Sequence, residues 1–130
     1  MKLAIETHGA GQPLVLIHGM GSAATAWQPI IPTLAKQFSV VTIDLPGHGR
    51  TPYSPIQKMD PTSLAQLVVK NLKNIGIESF HLVGNSLGGW VSFEIAALYP
   101  TAVKSITALA PAGLWLTPFT SRYPGELALR

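Results

Sequence analysis

The hexapeptide Gly84-Asn85-Ser86-Leu87-Gly88-Gly89 sets one hydroxyl between glycines two residues to either side. The apolar run Phe80-His81-Leu82-Val83 precedes it and a helix-forming segment follows. A strand that feeds a helix through so tight a turn lifts the turn side chain past the carboxyl edge of a sheet, where open α/β sheets hold ligands. The neighbours must then be small, and Gly84 and Gly88 satisfy the Gly-x-Ser-x-Gly nucleophile elbow in the strand-turn-helix context it requires. A helix N-terminus behind Ser86 would add backbone N–H groups and a partial positive charge to stabilise an oxyanion. The competing reading is a glycine-rich strand-helix turn with an incidental N-cap serine; the strand before the motif and the buried helix expected after it favour the nucleophile.

A second loop fits the same chemistry. His18-Gly19-Met20-Gly21 follows the apolar run Leu14-Val15-Leu16-Ile17. If that strand neighbours the one before Ser86, the loop brings a second backbone N–H to the oxyanion. Met20 is the candidate for that donor and Leu87 for the first. His18, beside a glycine in a tight loop, is read as a loop brace rather than a base. A third loop, Asp44-Leu45-Pro46-Gly47-His48-Gly49-Arg50, is a proline- and glycine-made turn in which Asp44 is expected to accept from loop N–H groups. Trp27 and Trp115 are candidates for the pocket wall, with core packing as their ordinary alternative.

Positioning these loops requires alternating strands and helices. Strands are predicted at residues 3–7, 14–17, 39–43, 80–83 and 103–109, the inner ones continuously apolar as strands covered on both faces are. Asp60-Pro61 forms an N-cap with proline at the first helical position. Behind it Leu64, Leu67, Val68, Leu72 and Ile75 keep helical spacing until Gly76. The segment 86–99 is apolar almost all round, which predicts a buried helix. Pro29 and Pro32 delay the helix after Trp27 to near residue 32. The alternation implies an α/β fold: a mostly parallel twisted sheet with helices on both faces. Gly19-Met20-Gly21-Ser22-Ala23-Ala24 also imitates a dinucleotide-binding fingerprint. The prolines spoil the helix that fingerprint needs, and it leaves the serine turn unexplained.

Composition narrows the function classes. Of 130 residues, 47% are hydrophobic and 12% charged, which excludes a disordered chain. The net charge is +3, and the nine Lys and Arg are scattered singly, so no nucleic-acid stripe forms. Without cysteine there are neither disulfides nor thiolate metal sites. No signal-peptide core or membrane-length apolar run is present. The expectation is a cytoplasmic protein that acts on a small molecule without metal or cofactor, nucleic acid or membrane.

Taken together, the three loops resemble the α/β-hydrolase family over about residues 3–116. The resemblance implies a serine nucleophile at Ser86, an oxyanion hole from the N–H groups of Met20 and Leu87, and a structural turn at Asp44 and His48. It implies hydrolysis of an ester, thioester, amide or activated C–C bond. The Gly-Asn-Ser-x-Gly-Gly elbow is similar to that of carbon–carbon bond hydrolases, although Ser22-Ala23-Ala24 lacks the further glycine those enzymes carry. Serine at position 86 argues against the branches that use aspartate there.

In that family the acid and then the histidine follow the nucleophile. Here His8, His18, His48 and His81 all precede Ser86, and only the acids Glu94 and Glu126 follow it. The chain thus resembles the first part of a hydrolase, an incomplete core over 1–116 with 117–130 as the start of a lid. A serine without its base is a weak nucleophile. The alternative is a non-catalytic relative that binds a small molecule. The strand at 103–109 would lack a neighbour, and such an edge is a candidate for self-association. Neither His48, at the same sheet edge as Ser86, nor His81, expected to point into a helix or the core, is a convincing substitute base.

Overall fold

A computed structural model of the chain describes residues 1–114. Trp115, Glu126 and the proposed lid start at 117–130 lie outside the described residues. Five strands form one sheet: β1 (Ala4–His8), β2 (Gln12–Ile17), β3 (Phe38–Asp44), β4 (Phe80–Asn85) and β5 (Val103–Leu109). Their order across the sheet is β1-β3-β2-β4-β5, with β1 antiparallel to β3 and the other pairs parallel.

Alternation along the strands sorts the side chains between two layers. Val15 and Ile17 of β2, Val41 and Ile43 of β3, and Phe80 and Leu82 of β4 belong to the larger core. That core is closed by α2 (Pro61–Asn74) and α3 (Leu87–Leu98). Leu14, Leu16 and Val40 point the other way, under Trp27 of a short 3-10 turn (Ala24–Trp27) and under α1 (Ile31–Leu34). Helices on opposite faces follow from right-handed crossovers that run in opposite directions across the sheet, from β2 to β3 one way and from β3 to β4 and on to β5 the other.

The helix signals in the sequence are realised locally. Asp60 Oδ1 accepts from the Ser63 N–H at 2.9 Å, capping α2, and Pro61 opens the helix. Such a cap stabilises by about 1 kcal/mol. At the other end Gly76 takes φ +82°, a left-handed conformation that suits glycine. Pro32 sits in the first turn of α1, which is only four residues long. Only a four-residue 3-10 turn opens at Ala24, with Ala23 as its N-cap, and not the α-helix the dinucleotide fingerprint needs.

One expectation needs correction, and one about β5 holds. The helix after Ser86 is not buried all round: Phe93, Ala97 and Leu98 of α3 are exposed. Helix α3 packs on β4, β5 and α2 through Leu87, Val91 and Ile95, and no described residue covers its opposite side. Strand β5 is likewise half open, because among the described residues it pairs with β4 alone. Among the described residues no helix is long and apolar enough to cross a membrane.

Two polar clamps had no sequence signal. Asn71, buried in α2, accepts from the Leu3 N–H at 2.9 Å and donates to the Leu67 carbonyl at 3.0 Å. Thr51 accepts from the Ala4 N–H at 2.8 Å and donates to the Asp44 carbonyl at 2.7 Å. Together they fix the edge strand β1 to α2 and to the loop after β3.

Candidate functional site

Strand β2 is where the winding direction of the sheet reverses: β3 lies on one side of it and β4 on the other. Ligand crevices of open α/β sheets form at that reversal, outside the carboxyl ends of the strands. The loops after β2 and β4 meet there. A Cβ built on Gly19 would lie 3.4 Å from Ser86 Cβ and 3.4 Å from the Asn85 carbonyl oxygen. Those are van der Waals distances, so the β2 loop lies directly against the serine turn.

Ser86 occupies the N-cap position of α3 with φ 52° and ψ −113°. It is one of two non-glycine residues at positive φ among the described residues, the other being Ala110. Such a conformation costs about 1–3 kcal/mol and persists only where its surroundings enforce it. Here they do. The Ser86 N–H donates to the Leu109 carbonyl at 2.9 Å, and its carbonyl accepts from Gly89, Trp90 and Ala112 at 3.0, 3.2 and 3.0 Å. The half-buried side chain makes no capping hydrogen bond, which removes the incidental N-cap reading. The two glycines are steric necessities. A Cβ on Gly84 would fall 2.2 Å from the Gly88 carbonyl oxygen, and one on Gly88 2.0 Å from that of Ile17.

Among the described residues no hydrogen bond uses the N–H of Met20 or Leu87. Leu87 is the first residue of α3, so its N–H has no intrahelical partner. The Met20 side chain is exposed, in keeping with a role confined to its backbone.

The remaining loop residues are braces. His18 is 1% exposed. Its Nε2 must accept from the Leu45 N–H at 3.0 Å, so the proton sits on Nδ1 and is donated to the Gly19 carbonyl at 2.7 Å. His48 repeats the pattern: Nε2 accepts from the Gly21 N–H at 2.9 Å and Nδ1 donates to the Pro46 carbonyl at 2.9 Å. The two rings lie 5.0 Å apart. Asp44 Oδ1 accepts from the Ala24 N–H at 2.8 Å and Oδ2 from the Arg50 N–H at 3.1 Å. Asp44 and His48 are therefore spent on backbone. His81 corrects the expectation made for it: it points neither into a helix nor into the core, but hydrogen-bonds Gln12 at 2.8 Å and Ser105 at 2.6 Å across the sheet. Glu94 lies within α3 and accepts from Thr62 of α2 at 3.1 Å.

Burial holds the His18 imidazole below its ordinary pKa, against the opposing pull of the Gly19 carbonyl. The folded chain therefore resists a proton that the unfolded chain accepts near pH 6.5. The stability from the neutral ring is intact above that pH and declines as pH falls below it. We expect the urea midpoint of the wild type to drop between pH 7.5 and pH 5, and the drop to be smaller in His18→Gln. An equal drop in both would assign the acid sensitivity to other groups.

A cavity of about 250 Å³ opens beside this junction, walled by Gly19, Ser22, Ala26, Trp27, Asn85 and Leu109 and floored by His18. Trp27 packs on Leu14, Leu16 and Val40, and it also lines this cavity. Its Nε1–H is the one buried side-chain polar atom without a partner among the described residues. A buried N–H left unpaired costs about 1–3 kcal/mol. Larger hollows of about 850 and 490 Å³ lie around β1 and contain neither Ser86 nor its loop neighbours. Sequence patterning had no means of finding Ser22, Ala26 and Leu109 in the wall, because strand order alone brings them together. Among the described residues no cluster of three metal-ligating side chains exists.

Comparisons with known proteins agree with this geometry. The profile of a family described as having the alpha/beta hydrolase fold matches residues 12–126. The chain is 40% identical over 104 residues to the dihydrolipoyllysine-residue acetyltransferase component of the acetoin cleaving system of Pseudomonas putida, covering 80% of this chain and 28% of that protein. It is 33% identical over 125 residues to the pimeloyl-[acyl-carrier protein] methyl ester esterase of Aeromonas hydrophila, covering 96% and 47%. Among solved structures, a hydrolase from Pseudomonas aeruginosa superposes with a TM-score of 0.85 at 26% identity, covering 97% of this chain and 47% of that one. The chain thus spans less than half the length of these relatives.

Proposed function

The chain belongs to the α/β-hydrolase family, and on that premise we propose that Ser86 is the nucleophile of an acyl-transferring hydrolase, with the Met20 and Leu87 N–H groups as its oxyanion hole. One observation carries the reading. Ser86 is held at φ 52° with an uncapped hydroxyl at the head of α3, against the loop that contains Met20. The Oγ adds to a substrate carbonyl, its proton passes to a general base, and the oxyanion is met by N–H groups and the positive end of α3. The leaving group departs with a proton, and water then releases the acyl group from Ser86.

The base is not among the described histidines. His18 and His48 use both ring nitrogens on backbone partners. His81 bonds Gln12 and Ser105 on strands, and His8 lies beside Glu6 on the edge strand. This reading takes the base, and the acid that orients it, from outside the described residues. An ester is the first choice of substrate: one relative is named for cleaving a methyl ester and another for transferring an acetyl group, and both names describe substitution at an acyl carbon. The occupied histidines also favour a second reading, in which the chain by itself binds an acyl compound without turning it over.

A fluorophosphonate probe separates the two. We expect slow phosphonylation at Ser86, mapped by peptide mass, and its loss in Ser86→Ala. Folded protein with no adduct at Ser86 would leave only the binding reading, and labelling that survives Ser86→Ala would move the nucleophile elsewhere.

A further inference from the structure

Two histidines hold the peptide planes on either side of Met20. The Ser22 N–H donates to the Gly19 carbonyl at 3.1 Å and closes a turn with Met20 and Gly21 at its centre. Gly21 takes φ +74° at the third position of that turn and Met20 has no positive φ, which is the type II form. The Gly19 carbonyl also accepts the His18 Nδ1–H at 2.7 Å. A trans peptide is planar, so a carbonyl held on one side sends the Met20 N–H to the other. The next peptide is held through its N–H. Gly21 donates to His48 Nε2 at 2.9 Å, and the His48 ring is itself fixed by its Nδ1–H on the Pro46 carbonyl at 2.9 Å. Packing does not hold this tip: the Met20 side chain is 53% exposed, and a Cβ on Gly21 would meet nothing within 4 Å. Among the described residues, His48 makes the only hydrogen bond to the Met20–Gly21 peptide.

We propose that His48 is a positioning residue for the oxyanion hole: its neutral imidazole holds the turn that presents the Met20 N–H to Ser86, and a proton on Nε2 releases that turn. The inference rests on the Ser86 reading for what the Met20 N–H is used for, and not for the hold itself. A neutral imidazole has one acceptor nitrogen and an imidazolium has none. With Nδ1 donating to Pro46, Nε2 is the nitrogen that takes up the proton, and it then faces the Gly21 N–H donor to donor. The freed peptide turns over towards the type I form, and the Met20 backbone moves with it. The titratable groups around the ring are few. His18 lies 5.0 Å away and is held neutral by burial. The Asp44 carboxylate is bonded to the Ala24 and Arg50 N–H groups, the Arg50 guanidinium is paired with Glu6, and Tyr53 packs near Gly47. The rest of the β2 loop and the 3-10 turn carry none. His18 is 1% exposed and His48 only half-buried, so His48 is the ring of the pair open to a proton from solvent.

Two variants separate this role from simple bracing. His48→Gln keeps an acceptor where Nε2 stood, and no proton removes it; His48→Phe keeps a ring without the acceptor. In the ¹⁵N-labelled chain at pH 7.5 we expect a scalar coupling across the Gly21 N–H to Nε2 bond. It should disappear by pH 5 while the Met20 amide signal shifts, and in His48→Gln that signal should stay in place over the same range. Fluorophosphonate labelling of Ser86 should slow about tenfold in His48→Phe, less than the ~10²–10³-fold that follows deletion of an oxyanion donor. His48→Gln should label like the wild type at pH 7.5 and about tenfold faster than it at pH 5, because a misplaced donor is restored. If His48→Phe does not fold, the wild type against His48→Gln decides alone. The proposal is overturned if the coupling is absent at pH 7.5, if the Met20 signal ignores its loss, or if wild type and His48→Gln label with the same pH profile. Ser86 unlabelled in every variant rejects the nucleophile alone, and the Met20 and Gly21 signals still decide whether His48 holds the turn.

Discussion

Ser86→Gly is expected to abolish phosphonylation and to leave the protein more stable than the wild type. The exchange removes the hydroxymethyl group, and no described hydrogen bond depends on its hydroxyl. The backbone bonds that hold the turn, from the Ser86 N–H to Leu109 and from Gly89, Trp90 and Ala112 to the Ser86 carbonyl, survive the change. What is relieved is a Cβ held at φ 52° and ψ −113°, which costs about 1–3 kcal/mol. What is added is the freedom of glycine in the unfolded chain, about 0.5–1 kcal/mol in the opposite direction. The strain is the larger of the two, and a net gain of about 1 kcal/mol follows. Urea unfolding would show it as a midpoint raised by about 0.5 M at unchanged slope. Ser86→Ala separates the two effects, since it loses the adduct and keeps the Cβ and its strain. If Ser86→Gly loses stability instead, the side chain packs usefully in the fold, and a turn strained to present a nucleophile is the wrong description.

The parts of this site that could be read from the chain are those written in adjacent residues. The glycine spacing around Ser86, the proline after Asp60 and the glycine after Ile75 each fix a backbone conformation by themselves. The turn and both ends of α2 appear where the sequence puts them. The braces at His18 and Asp44 were legible for a related reason, because a tight loop after a buried strand leaves N–H groups that only a nearby side chain can satisfy. What failed depended on strand order and on what covers each surface. His81 sits in an apolar run and looks like a core residue. Its side chain nevertheless faces the layer where Gln12 of β2 and Ser105 of β5 flank it, and neither is adjacent in sequence. The apolar outer side of α3 carries the same ambiguity, since hydropathy states what a face would prefer to meet and not what lies against it. The cavity wall shows the limit most clearly. Trp27 is legible as an apolar anchor, but an unpaired indole N–H is visible only after every neighbouring acceptor has been placed.

The glycines around the serine make the strongest structural claim, and Gly88→Ala is the substitution that tests it. The added methyl would stand 2.0 Å from the Ile17 carbonyl oxygen, 2.6 Å from its carbon and 2.8 Å from the His18 carbonyl oxygen. All three atoms are backbone at the carboxyl end of β2, the central strand of the sheet, so no rotamer change clears the overlap. Helix α3 must lift from β2, and with it goes the contact between Ser86 and the Gly19 loop. The expected loss exceeds about 4 kcal/mol, the range reserved for a buried clash or its equivalent, and labelling of Ser86 should vanish with it. Gly76→Ala is the matched control. Gly76 has φ +82° but open space around it, so alanine there meets only the left-handed backbone penalty of about 1–2 kcal/mol. A comparison of the two by urea unfolding at one pH isolates the steric term from the conformational one. Should Gly88→Ala cost no more than Gly76→Ala and retain the Ser86 adduct, α3 does not lie hard against β2, and the close approach on which the proposed oxyanion hole depends would have to be abandoned.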